Sequence, residues 1–178
     1  MKLTPEKLTL PDPRRDHIQG PLNAPLALLE YGDYECPACG KVHPVVKAIQ
    51  EELGDQVSFA FRNFPLTNIH PHAMHAAEAA EAAGAQGKFW EMHDLLFENQ
   101  AALDDQSLLS YADYLELDLN RFINDLDSDV YGERVRHDFK AGIRAGVNGT
   151  PTFFINGDRF QGLPDYESLM AALTEHVA

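Results

Sequence analysis

Two cysteines, one tryptophan and 14 basic residues set against 28 acidic ones are the scarcities of this 178-residue chain. Each excludes something. A net charge of −14 argues against nucleic acid as a partner, because phosphate binding needs clustered Lys and Arg. No apolar run approaches the roughly 20 residues that a membrane span requires. The first twenty residues mix Lys, Glu, Asp and Arg with three prolines and have no apolar centre, so they do not read as a signal peptide. The expected location is therefore cytoplasmic, unless a leader was removed ahead of Met1. A structural zinc site needs four ligands, and no second cysteine pair exists to supply them.

What remains is ordinary for a globular protein: 44% hydrophobic and 24% charged residues, in a length that suits one domain with an insertion. Both cysteines fall in a single motif, Cys36-Pro37-Ala38-Cys39. The apolar run Leu26 to Leu29 reads as a buried strand and Pro37 to about Leu53 as a helix, with Val42, Val46, Ile49 and Leu53 at helical spacing. The motif thus sits at a strand-to-helix turn. Free N–H groups and the positive end of the helix dipole favour a thiolate there, so Cys36 is expected to be the acidic, reactive thiol. Pro37 costs no hydrogen bond at the first helical position, and Ala38 brings no charge. Glu35 is expected to oppose the acidity by like charge.

In chain order, residues 1–13 read as an extended arm and Asp16 to Gly20 as a short edge strand. Val57 to Phe61 alternates and is β-rich, a second central strand running to about Phe64. Strand, helix and strand of this length form a βαβ unit with parallel strands. Pro44 inside the helix predicts a kink. From about Pro71 to Val147 the pattern gives helix after helix, five in all. An alanine-rich helix comes first. Another carries Phe89, Trp90 and Phe97, and Leu108, Ala112 and Leu115 mark a third. One is capped by Asp118, and the last carries Tyr131, Val135, Phe139 and Ile143 and closes at Gly146. Sheet returns at Thr152 to Ile155. The Asn156-Gly157 turn then leads to a strand near Arg159 to Gln161, and Asp165 caps a helix with Leu169, Ala172, Leu173 and Val177 on one face. The expected divisions are 1–13, 14–69, 70–147 and 148–178.

This order, with Cys-x-x-Cys at the first strand-to-helix turn, resembles the thioredoxin superfamily, and the helical block resembles its DsbA-like branch. The implied class is α/β: a thioredoxin fold, a central mixed β-sheet flanked by helices, with an all-α insertion between its βαβ and ββα halves. Glu30, six residues before Cys36, stands where the family keeps a buried carboxylate beneath the disulfide. Pro44 matches the kink proline, and Thr150-Pro151 matches the loop whose cis-proline lies against the disulfide. The resemblance implies thiol–disulfide exchange with protein or peptide substrates and with a redox partner of the thioredoxin or glutathione type. Cys36 and Cys39 would react, Glu30 would accept the proton of Cys39, and Thr150 and Pro151 would bind substrate. The Pro37-Ala38 dipeptide differs from both the Gly-Pro of thioredoxins and the Pro-His of the best-known DsbA proteins. With no side-chain donor at Ala38, a less oxidising disulfide than a Pro-His version is expected.

No cofactor is implied. His43, His70, His72 and His75 invite a metal reading, but they form no recognisable ligand spacing and read as helix-start, rim or core residues. Two rivals stand beside the main reading. One is an oxidase or isomerase acting outside the cytosol. The other is a thioredoxin-like binding or chaperone module whose cysteines do not turn over.

Overall fold

The computed structural model describes residues 9–177. The extended arm expected over residues 1–13 lies mostly outside them. Its last residues are pinned: Thr9 N–H donates to the carbonyl of Gly157 at 3.1 Å, and the Leu10 carbonyl accepts from Arg62 at 3.0 Å. Among the described residues, five strands form one mixed sheet in the order β1-β3-β2-β4-β5. They are β1 (His17–Gln19), β2 (Leu26–Gly32), β3 (Val57–Asn63), β4 (Thr152–Ile155) and β5 (Asp158–Arg159). The central strand β2 runs parallel to β3 and antiparallel to β4, and the long helix α1 (Pro37–Leu53) makes the crossover between β2 and β3. Pro44 lies within α1, which continues past it to Leu53.

The apolar run of β2 follows from its position, because both faces of this central strand are covered. Leu26 and Leu28 point into the larger core, with Phe59, Phe61, Phe153 and the buried side of α1. Leu29 and Tyr31 point to the other face, with Ala60, Phe64 and Phe154. Each such side chain, taken fully out of water, contributes roughly 1.5–3 kcal/mol. β3 alternates in sequence, yet all seven of its positions are buried. The polar positions are buried because they have partners. Ser58 bonds the Leu26 carbonyl, and Arg62 holds Asp16 at 2.7 and 2.9 Å and the Tyr31 hydroxyl at 2.9 Å.

Between β3 and β4 lie the five expected helices: α2 (Ala73–Gly84), α3 (Phe89–Glu98), α4 (Asp105–Tyr114), α5 (Leu119–Asp127) and α6 (Gly132–Arg144). Asp118 caps α5, its carboxylate accepting the N–H of Arg121. α6 ends in a paired closure, with Gly146 N–H bonding the Ile143 carbonyl and Val147 N–H the Gly142 carbonyl, made possible by φ +86° at Gly146. The α2 alanines are nearly all buried, small enough for α3 and α5 to pack close. The final helix α7 (Tyr166–Val177) is capped by Asp165, which accepts from Ser168 N–H at 2.8 Å.

Three expectations need correcting. Ile143 and Val177 are 54% and 53% exposed. Steps of four residues advance 40° beyond a full turn, so a row of i, i+4 positions rotates off its face within three steps. The buried face of α6 is instead Val135, Asp138 and Gly142. Last, β5 ends at Arg159 rather than near Gln161, just ahead of Gly162 and Pro164.

A buried polar network that the sequence did not signal ties α6 to the sheet. Asp138, fully buried, accepts from Asn63 N–H at 3.2 Å and from Arg15 at 2.8 Å, with Arg134 3.7 Å away. Asn63 also donates to Glu81, which meets His17 at 2.8 Å. Removing the carboxylate leaves the buried Asn63 N–H and two arginines, each only about a quarter exposed, without their acceptor. Asp138→Ala is therefore expected to destabilise the protein by about 3–5 kcal/mol. Urea unfolding checks this, and a loss under about 1 kcal/mol would show that the two arginines are satisfied by water.

Candidate active site

The turn from β2 into α1 is built around Asp33. Its buried carboxylate accepts from Glu35 N–H at 2.8 Å, Leu66 N–H at 2.9 Å and His70 Nδ1 at 2.7 Å, while its carbonyl accepts from Cys36 N–H at 3.1 Å. An Asp folding its side chain onto the residue two ahead is an ordinary way to set a turn. Gln100, from the segment between α3 and α4, closes it from the other side. Its amide donates to the carbonyls of Tyr34 and Cys36 at 2.9 and 2.8 Å. A Cβ at position 40 would overlap the Gln100 amide, so Gly40 makes room for this approach. Neither Asp33 nor Gln100 was singled out from the sequence. Asp33 carries a local signal, an acidic residue three before a helix N-cap; Gln100 carries none.

Cys36 caps α1, with φ −71° and ψ 120°, and Pro37 follows at the first helical position. Its thiol lies well below the ordinary thiol range, at about 5. The chief cause is a hydrogen bond donated by the Cys39 thiol. Partial burial opposes it, and Thr150 and the N–H groups of Cys39 and Ala38 add to it. The helix N-terminus therefore contributes as expected, but behind the neighbouring sulfur. Glu35 does not figure among the main influences, because its carboxylate is turned onto His72, accepting from the backbone N–H at 2.7 Å and lying 3.0 Å from Nδ1. Thr150 meets Cys36 in two ways. The protonated thiol donates to the Thr150 carbonyl at 3.6 Å, whereas the Thr150 hydroxyl, buried and without another partner among the described residues, is a donor suited to the thiolate.

Cys39 is driven the other way, far above an ordinary thiol, by burial, by its bond to Cys36 and by the charge of Glu30. Both thiols are free. Glu30 lies on β2 in register with Phe61 on β3 and Phe153 on β4. Neighbours in register share a face of the sheet, so the carboxylate sits between two phenylalanines. It is 2% exposed, and its Oε1 has no partner among the described residues. Burial, and secondarily the charge of Cys36, push its carboxyl up to about 8.

The Thr150–Pro151 peptide bond is cis. The β2–β4 ladder ends at Thr152, leaving Thr150 and Pro151 outside it. An open groove of about 200 Å3 starts at Pro151 and runs past Phe153, Arg159, Phe160 and Gly162 to Pro164. The histidines weighed from the sequence do not converge. His70 bonds Asp33, His72 meets Glu35 and His75 meets Asp105, while His43 lies buried on α1.

A mixed sheet with antiparallel edges, crossed over by a helix that begins in Cys-x-x-Cys and faced by a cis-proline loop, defines a protein of thioredoxin fold. The chain belongs to the thioredoxin family: the family model described as Thioredoxin matches residues 13–175. The structure is similar to that of BdbD from Bacillus subtilis, with a TM-score of 0.83 at 23% identity, covering 96% of this chain and 97% of that one. It is also similar to a thioredoxin-like oxidoreductase from Silicibacter pomeroyi, with a TM-score of 0.81 at 23% identity and 92% of each chain covered. In sequence, the chain is 47% identical over 167 residues to a Salinispora arenicola protein named Na(+)/H(+) antiporter NhaA 1. That match covers 94% of this chain and 26% of the relative, so the chain spans about a quarter of the length of the curated relatives it matches.

The absorbance of the Cys36 thiolate in the reduced protein is expected to titrate with a midpoint near 5. Thr150→Val, which keeps shape but removes the hydroxyl donor, is expected to raise that midpoint by about one unit, the worth of a hydrogen bond to a charged group. An unmoved midpoint would show that the hydroxyl does not reach the sulfur.

Proposed function

We propose that this protein is a thiol–disulfide oxidoreductase acting on protein or peptide substrates through Cys36 and Cys39. The observation that carries the reading is the opposed acidity of two sulfurs three residues apart, one held as a thiolate near neutral pH and the other held as a thiol. The Cys36 thiolate attacks one sulfur of a substrate disulfide. An S–S bond forms to Cys36, the substrate S–S bond breaks, and its second sulfur leaves as a thiolate. Cys39 then attacks Cys36 in this mixed disulfide, releasing the other substrate thiolate. Two electrons have passed to the substrate and the protein holds its own disulfide. The reverse sequence oxidises a substrate dithiol.

Cys39 must lose its proton in the second step, and Glu30 is the base we assign to it. While Cys36 is an anion, its charge holds up both the Glu30 carboxyl and the Cys39 thiol. Forming the mixed disulfide removes that charge. Both groups then become more acidic; Glu30 releases its own proton to solvent, and its carboxylate can then receive the proton of Cys39 inside an otherwise apolar layer. Thr150 and Pro151, outside the ladder and beside Cys36, lie where an extended substrate segment pairs with free backbone, and the adjoining groove takes its side chains.

No helix among the described residues is long and apolar enough to cross a membrane. We carry none of the transport in the relatives' names over to this chain, which matches about a quarter of their length.

Reduction of insulin with dithiothreitol as donor tests the activity. Turnover above the uncatalysed rate, abolished by Cys36→Ser, is expected; binding of unfolded protein without turnover in the parent would favour the binding-module reading instead. Glu30→Gln is expected to slow resolution of a trapped mixed disulfide about a hundredfold, within the range of a general base, and to leave the first attack nearly unchanged. Stopped-flow mixing with a model disulfide separates the two steps, and an unaltered second step would remove Glu30 from the mechanism.

A further inference from the structure

His43 lies on α1, one helical turn beyond Cys39, and faces His93 and Asp94 of α3. One ligand atom from each of the three lies within 4.8 Å of the others. His43 is only 8% exposed, and its Nε2 has no hydrogen-bond partner among the described residues. Asp94 Oδ1 is 3.4 Å from that nitrogen. This is close to the spacing, roughly 3.3 Å, of two ligands bound at about 2.0–2.1 Å to one tetrahedral ion. The His43 nitrogen thus lies without a hydrogen bond beside a carboxylate oxygen, at a separation at which both can bind one ion placed off the line that joins them.

The groups behind these atoms already hold them in place. The Tyr34 hydroxyl lies 2.9 Å from His93 Nδ1; in the tautomer that donates from Nδ1 to this hydroxyl, Nε2 keeps its lone pair for an ion. Lys47 Nζ lies 2.5 Å from Asp94 Oδ2, fixing that oxygen and leaving Oδ1 turned to His43. The Asp94 side chain is 30% exposed and opens a route in from solvent. We propose that His43, His93 and Asp94 bind one first-row divalent transition-metal ion, Zn2+ foremost. Two imidazoles and a carboxylate suit such ions rather than Ca2+ or Mg2+, which take all-oxygen sites, and three protein ligands leave a fourth position open. Fifty residues separate the first ligand from the second, which is why no ligand spacing in the sequence revealed it.

The site does not rest on the thiol-exchange reading, and its test removes the sulfurs as rival ligands. Zn2+ is titrated calorimetrically into the Cys36→Ser/Cys39→Ser protein, and Co2+ is followed by its visible absorption bands. One ion per chain is expected. Binding is expected to weaken at least ~10-fold with His43→Ala and again with Asp94→Asn, and to stay unchanged with His75→Ala, whose exposed ring pairs with Asp105 instead. Asp94→Asn keeps the shape of a partly exposed side chain, so it carries the test if His43→Ala does not fold. No binding by the serine variant, or binding indifferent to both substitutions, would overturn the proposal.

Discussion

The hydrogen bond from the Cys39 thiol to the Cys36 sulfur is the interaction on which the rest of the site depends. It is the chief cause of the acidity of Cys36 and the second cause of the reluctance of Cys39 to ionise, so one contact polarises both sulfurs in opposite senses. Such a contact needs the two residues on one helical turn, with the first at the cap and the second turned inward. The fold supplies both conditions. β2 delivers the chain to the N-terminus of α1, Asp33 sets the turn, and Gln100 draws the Tyr34 and Cys36 carbonyls from the side of the helical block. The insertion is thereby part of the site: a residue between α3 and α4 holds the backbone of the nucleophile.

The same geometry explains why a carboxylate is tolerated inside the sheet. Glu30 costs stability whenever it is charged, since its register neighbours are Phe61 and Phe153. Its high pKa means that it is mostly neutral at pH 7 while Cys36 is ionised, so the layer under the sulfurs carries a single negative charge rather than two. In the proposed exchange, the charge of Cys36 leaves on the first substrate thiolate; Glu30 then gives its proton to solvent, and its carboxylate takes the proton of Cys39 as the mixed disulfide resolves. An apolar residue at position 30 would pack more easily and could not take part.

The legible features were those set by neighbours in sequence. The apolar run of β2, the Asn156-Gly157 turn, the caps at Asp118 and Asp165 and the cysteine motif at a helix start all follow from spacing and local backbone preference, and all appear in the structure. The illegible ones depend on partners far along the chain. Nothing in the sequence marks Arg62 or Asp138; their partners come from α6 and the segment from Asp12 to His17, which close over the sheet. Gln100 reaches back 64 residues to Cys36. Glu35 was assigned to oppose Cys36 because it precedes it, yet His72 captures its carboxylate. Proximity in sequence sets what a side chain is near; only the fold sets which way it points.

The polarised pair makes a direct claim about proton counting. If reduction creates one thiolate and one thiol, the midpoint potential falls by about 30 mV per pH unit; if it creates two thiols, by about 59 mV per pH unit, for this two-electron couple. The measurement is the potential of the Cys36–Cys39 couple against glutathione or dithiothreitol buffers from pH 4 to 7.5, made in the Glu30→Gln protein so that only the sulfurs take up protons on reduction. The account predicts the steeper slope only in the acid range, with a break near pH 5 and the shallower slope above it. The steeper slope continuing unbroken through pH 7 would mean that Cys36 is an ordinary thiol, and would contradict it.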